Sequence, residues 1–164
     1  RPDIAFVLVG DGKEKDHLMR HAAEMGLNNV YFEPPVTKKG IADVFAGATI
    51  CLAILKPLEW YKTTYPNKVF DAMAAGKPVL LCIDGVIREL VEKANAGRFV
   101  TPGDPEALAD VVKQMVNAPE ECEKMGHNGK ELVKRDFSRS VITASLLTLL
   151  EDMRSEHGRD NSGC

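Results

Sequence analysis

The sequence predicts an α/β fold, an open doubly wound parallel sheet with extra helices at its C-terminal end. Three observations predict it. Short apolar, β-prone runs alternate with helical patterns five times along the chain. The runs are continuously hydrophobic, as expected of strands buried on both faces of a parallel sheet. The loops after them carry the glycine, proline and polar residues, and ligands of such sheets bind outside the carboxyl ends of the strands.

In order, Ile4–Val9 reads as a strand buried on both faces, followed by the turn Gly10-Asp11-Gly12 and a helix over 13–25. Leu18, Ala22 and Met25 give that helix an apolar stripe, and Gly26 closes it. Strands are expected over 30–32, 49–55, 79–83 and 97–100. Short helices are expected over 38–46, with Ile41, Val44 and Phe45 facing in, and over 87–94. Asp104 is placed as the N-cap, and Pro105 in the first turn, of a helix over 105–117. Helices over 119–134 and 138–154 complete a domain spanning 1–154, and the polar stretch 155–164 is expected to be disordered. Four loops leave the carboxyl edge: 10–12, 33–39, 56–67 and 84–86.

The most informative stretch is TTYPNKVFDAMAAGKPVLL, residues 63–81. Pro66 suits the first turn of a helix, since it has a fixed φ and no N–H to leave unpaired. Val69 with Met73, and Phe70 with Ala74, give an apolar face; Gly76 offers a left-handed cap and Pro78 prevents resumption. The polar face carries Asn67, Lys68 and Asp71. Free N–H groups and the helix dipole favour a phosphate at such a helix start. A carboxylate one turn in could accept two hydrogen bonds from a sugar diol, which makes this a candidate nucleotide-sugar site. The competing reading is an N-terminal cap with an exposed Lys68–Asp71 ion pair.

Composition narrows the classes. A chain of 164 residues can bury one real core. A net charge of −3 does not supply the basic face that nucleic-acid binding requires. No apolar run is long enough to span a bilayer, and no signal peptide opens the chain. The four cysteines show no C-x-x-C spacing. Cys51 and Cys82 read as small core residues, Cys122 lies on a polar helix, and the set fits a reducing cytoplasm.

Other constellations are weaker. The Gly10–Gly12 turn permits close backbone approach to a ligand, but Lys15 stands where a dinucleotide fingerprint has its third glycine. His17 and His21 have a metal-capable spacing without a third ligand candidate, so a solvated face is expected and no metal. Glu89 complements a helix dipole. Trp60, Tyr61 and Tyr65 form either a lid or ordinary loop packing. No Ser–His–Asp or Cys–His arrangement is visible.

Taken together, FVLVGDGKEKDHL, NNVYFEPPV, TTYPNKVFDAMAAGKPVL, RELVEKANAGRFVTPGDPEALADVVKQM and EKMGHNGKELVKRDFS resemble the C-terminal, donor-binding domain of retaining family 4 glycosyltransferases. This is the Rossmann-like half of the GT-B fold, and the resemblance covers about residues 3–153. The PNKVFDAMAAGKP form resembles the branch that transfers N-acetylated amino sugars or deoxy sugars onto lipid-linked bacterial surface glycans.

The resemblance implies site residues. Of the family's two glutamates, the second falls on Asp71, which would hold the donor ribose. The first falls on Thr63, a departure that leaves Thr63, Thr64 or a residue outside this chain to serve the donor sugar. Pro66, Asn67 and Lys68 occupy the diphosphate cradle. The loop from Glu33 to Val36 matches the one whose backbone holds the nucleobase, and Gly10 and Gly12 would line the crevice floor. The family's first strand and helix of this domain, its catalytic Arg/Lys pair and its acceptor-binding N-terminal domain would precede Arg1. The chain is therefore expected to be part of a longer hexosyl- or N-acetylhexosaminyltransferase, inactive by itself. A uridine-diphosphate sugar is the expected donor and a lipid-linked glycan the acceptor class, with no cofactor, at the cytoplasmic face of the inner membrane. A nucleotide-sugar 2-epimerase half-domain and a non-catalytic nucleotide-binding module are the competing readings; an epimerase would need acid/base groups at the crevice, where no histidine sits.

Overall fold

A computed structural model describes residues 1–160. The chain forms two compact units, Arg1–Val44 and Phe45 onward.

In the first unit, strand β1 (Phe6–Val9) pairs in parallel with β2 (Val30–Glu33), and helix α1 (Lys15–Glu24) connects them. The register sets Phe6 opposite Val30 and Val9 opposite Glu33. Burial differs from the sequence expectation. Val7 is 56% exposed and Leu8 42%, so β1 is not covered on both faces. On α1, Leu18 and Met25 of the expected apolar stripe are exposed, and the helix has no buried residue. The physical reason is the size of the layer: two strands and one helix cannot enclose a side chain from every direction. Gly26 does end α1, at φ 64. The helix α2 (Ile41–Gly47) follows, and Ile41, Val44 and Phe45 are half-buried as expected.

The second unit contains the core. Strands β3 (Cys51–Ile54), β4 (Val79–Cys82) and β5 (Gly97–Phe99) form a parallel sheet in that order. The parallel strands thus fall into two sheets, β1–β2 and β3–β4–β5, among the described residues. Strand β4 is central and buried at all four positions. On β3 burial alternates: Cys51 and Ala53 face in, while Leu52 and Ile54 are exposed. Helices α3 (Asn67–Ala74) and α4 (Val86–Lys93) flank the sheet. The core gathers Val69, Met73, Val79, Leu81, Ile87 and Val91, all with no exposed surface. Burial of such side chains stabilises by roughly 1.5–3 kcal/mol each. It is this face, rather than helix propensity, that holds an eight-residue α3 in place.

Three helices complete the chain: α5 (Pro105–Val116), α6 (Pro119–Asp136) and α7 (Arg139–Asp160). Asp104 caps α5 as expected, its Oδ1 accepting from the Ala107 N–H at 2.8 Å. Helix α6 lies against α3, β5 and α5. Its close approach to α3 uses Gly126, where an added Cβ would overlap the Gly76 carbonyl oxygen and lie 2.8 Å from the Gly76 carbonyl carbon. Phe137, just past α6, meets Phe70 of α3 with ring centroids 4.9 Å apart. The stretch expected to be disordered from 155 is carried by α7 as far as Asp160, and residues 161–164 lie outside the described residues.

Cys122 lies on the polar helix α6, as expected, and on its inner side. It is buried at 4% exposure, with Sγ 3.2 Å from the Met115 carbonyl, because α5 covers this side of α6. Burial raises the pKa of Cys51 to about 11 and pushes the Cys82 and Cys122 thiols up as well. Thiolate is the reactive form. The native protein at pH 8 is therefore expected to leave Cys51, Cys82 and Cys122 unmodified by maleimide, and to expose all three in denaturant. Peptide mapping by mass spectrometry reads this, and rapid native labelling of Cys51 would contradict the core assignment.

Candidate functional site

The residues singled out in the sequence lie at the carboxyl ends of strands in each unit. In the first unit the set is Gly10, Gly12, Glu33 and Val36. Gly10 follows β1 directly at φ 139, a conformation open to glycine. Its N–H donates to the Glu33 carbonyl at 3.2 Å, which ties the ends of the two strands together. A cleft of about 300 Å³ lies beside this turn, lined by Leu8, Gly10, Gly12, Lys15, Leu18 and Phe32 among others. Glu33 and Val36 are exposed.

In the second unit the set is Thr63, Thr64, Pro66, Asn67, Lys68 and Asp71. The loop after β3 forms a 3-10 helix, Glu59–Thr63, and then runs extended through Thr64 and Pro66 into α3. Pro66 is the N-cap of α3 rather than a residue of its first turn, and no side chain caps the helix. The cause is local: at ψ 125 Pro66 is extended, and its carbonyl accepts from the Val69 N–H at 3.0 Å. The amides of Asn67 and Lys68 have no hydrogen-bond acceptor among the described residues, and both residues are exposed. Asp71 is exposed one turn along, and among the described residues it makes no ion pair with Lys68. The apolar face of α3 is Val69, Ala72 and Met73; Ala74, expected to face in, is exposed.

The hydrogen bonding of Thr63 and Thr64 is chemically informative. The hydroxyls of Thr63 and Thr64 both donate to the Trp60 carbonyl, each at 3.1 Å. Their protons are spent, so what they can offer a ligand is acceptor lone pairs, as a carboxylate would without its charge. Trp60 and Tyr65 are exposed, while Tyr65 also meets Phe70 edge-on.

Sequence reasoning missed two features. Lys15 bonds the carbonyls of both Gly10 and Glu33. Gly85, at φ 96, lies so close under the 3-10 helix that an added Cβ would overlap the Lys62 carbonyl oxygen. Next to it, the Asp84 side chain accepts from the Gly85 N–H at 2.9 Å, a bond that, with Arg88, holds its carboxyl below the ordinary range. The Asp84-Gly85 dipeptide marks a turn, but what it packs against is not written in it. His17 and His21 stack on the surface of α1 with centroids 6.3 Å apart. Among the described residues, no three metal-capable side chains gather.

The profile of the group 1 glycosyl transferases matches residues 1–118. The chain belongs to that family. This group 1 glycosyl transferase sequence is 28% identical over 158 residues to D-inositol 3-phosphate glycosyltransferase of Streptomyces coelicolor, covering 91% of this chain and 34% of that protein. It is 26% identical over 151 residues to N-acetyl-alpha-D-glucosaminyl L-malate synthase of Bacillus anthracis, covering 92% and 38%. The chain thus spans little more than a third of the curated relatives it matches. Its fold is shared with Anabaena HepE, solved in complex with UDP-glucose, at TM-score 0.79 and 23% identity over 93% of this chain and 42% of that one. It is shared also with WaaG, a glycosyltransferase involved in lipopolysaccharide biosynthesis, at TM-score 0.69 and 19% identity over 86% and 36%. No helix among the described residues is long and apolar enough to cross a membrane.

Proposed function

We propose that this chain, over 1–154, is the donor-binding part of a longer retaining glycosyltransferase, and that the donor is a uridine-diphosphate sugar. The observation that carries this reading is the start of α3. Two backbone amides without an acceptor among the described residues, at the exposed Asn67 and Lys68, are followed one turn later by the exposed Asp71. The amides and the Lys68 ammonium would take the diphosphate, and Asp71 would accept from the ribose diol. Thr63 and Thr64 would accept from hydroxyls of the donor sugar, their own protons being held by Trp60. The UDP-glucose bound by HepE supports the choice of base. Within the Glu33–Val36 loop of the first unit, the Val36 N–H and the carbonyls of Pro34 to Val36 would hold the nucleobase, beside Gly10 and Gly12.

In the intact enzyme the sugar passes to an acceptor hydroxyl with retention at the anomeric carbon. Stabilising the departing diphosphate supplies much of the rate, since preorganised N–H donors cost no reorganisation when charge develops. The acceptor domain and the catalytic Arg/Lys pair lie outside this chain, and residues 1–164 alone transfer no sugar. A lipid-linked glycan at the cytoplasmic face of the inner membrane is the acceptor class, which places the enzyme in surface-glycan synthesis, on the N-acetylated amino sugar or deoxy sugar branch.

The test is calorimetry of the full-length protein with UDP, GDP, ADP and TDP, paired with radiolabelled transfer to a lipid-linked acceptor. UDP is expected to bind most tightly, and full-length protein to transfer where 1–164 does not. Binding of no nucleoside diphosphate would remove the reading; binding without transfer by the full-length protein would turn it into a non-catalytic module.

A further inference from the structure

Lys15 stands where a dinucleotide turn would have its third glycine, and the structure gives it a different task. Its half-buried side chain reaches back from the first turn of α1, and Nζ donates to the Gly10 carbonyl at 2.7 Å and to the Glu33 carbonyl at 2.9 Å. The Gly10 N–H also donates to the Glu33 carbonyl. Three hydrogen bonds therefore knot the carboxyl ends of β1 and β2, and two of them end on one oxygen. A carbonyl oxygen has two lone pairs, so the Glu33 carbonyl has no capacity left for a ligand. The next two residues, Pro34 and Pro35, have no N–H. Backbone donation to a base from this loop therefore begins at Val36, whose position depends on where the chain leaves Glu33.

We propose that Lys15 is a positioning residue for nucleobase recognition. Its ammonium fixes the exit of the Pro34-Pro35-Val36 segment and so sets the base preference of the donor site. The stiffness of two consecutive prolines carries that fixed exit forward to Val36 without slack. The ammonium suits the task because it has three donors and can serve two carbonyls at once. An apolar side chain would fill the same wall of the cleft beside the Gly10 turn and hold neither carbonyl. The inference rests on the reading that the Glu33–Val36 loop holds the base.

The test uses the full-length protein, with K15M, K15R and K15Q. UDP, ADP and inorganic pyrophosphate are titrated by calorimetry, donor kinetics are measured, and thermal unfolding is recorded for each variant. For K15M, UDP affinity is expected to fall about tenfold and its margin over ADP to narrow, with pyrophosphate affinity unchanged. The donor KM is expected to rise in step, with kcat held within about twofold. K15R, which keeps the donors, restores most of the preference. K15Q carries the same test should K15M not fold. If K15M keeps both UDP affinity and base preference, the inference fails while the donor-site reading stands. If UDP and pyrophosphate weaken together, Lys15 is merely structural and the inference fails. If the wild-type protein binds no UDP, the donor-site reading itself fails and takes this one with it.

Discussion

Asp71→Ala in the full-length enzyme is expected to weaken UDP binding by about 30-fold, the equivalent of roughly 2 kcal/mol. The figure follows from losing an ionised acceptor that receives two hydrogen bonds from a diol. It is kept modest because Asp71 is exposed, and water replaces part of what is lost. Stability should not change: Asp71 contributes its backbone carbonyl to Ala75, and its side chain is not part of the core. Asp71→Asn retains one acceptor oxygen and should fall between the two. A 2′-deoxyribose diphosphate should lose affinity for the wild-type protein and little more for Asp71→Ala, since the carboxylate and the diol act through the same bonds. Calorimetry with UDP and its deoxy analogue checks this. Unchanged UDP affinity in Asp71→Ala would displace the ribose from α3 even though the family is secure.

Gly126→Ala is expected to destabilise the chain by about 3 kcal/mol and to lower its melting temperature by roughly 10 °C. Gly126 lies where α6 crosses the turn between α3 and β4, and a methyl group there would overlap the Gly76 carbonyl oxygen. The obstacle is backbone, which cannot rotate away as a side chain would. Either α6 must move outward, loosening the contact of Phe137 with Phe70, or the Gly76 turn must shift the end of α3. Gly47→Ala is the control, since an added Cβ there meets nothing within 4 Å. Melting curves that respond equally to both substitutions would contradict the tight crossing of α6.

The elements of both units were legible in the sequence, but burial was legible in the second unit and not in the first. Around α3, the cues were local and redundant: the proline before the helix, Val69 and Met73 on one face, Gly76 after it, and then four apolar residues that fill β4. The exposure of β1 was illegible because a run of apolar residues specifies affinity for a core but not what covers it. The same limit explains Cys122. Its neighbours along α6 are charged, and only the packing of α5 against α6 puts it inside. In the candidate site, Asn67, Lys68 and Asp71 followed from the helix pattern together with the family resemblance. The roles of Lys15 and Gly85 did not, because both act on carbonyl groups, and every residue type has the same carbonyl. Position alone makes Gly10, Glu33 and Lys62 their partners.

The contact at Gly85 also fixes how closely the loop after β3 can lie on the backbone after β4. The 3-10 helix Glu59–Thr63 rests its Lys62 carbonyl on the backbone after β4, with no side chain between to act as a cushion. The two meet backbone to backbone, with no room for a side chain at position 85. Leu58 and Thr64, at the borders of the 3-10 helix, are extended. On the donor-site reading proposed above, adjustment to a larger or smaller donor sugar would fall to Leu58 and Thr64, since the 3-10 helix between them is seated on Gly85. A bulkier residue at 85 would act as a wedge, lifting Thr63 without touching it, and sugar selectivity would change from a position outside the predicted site.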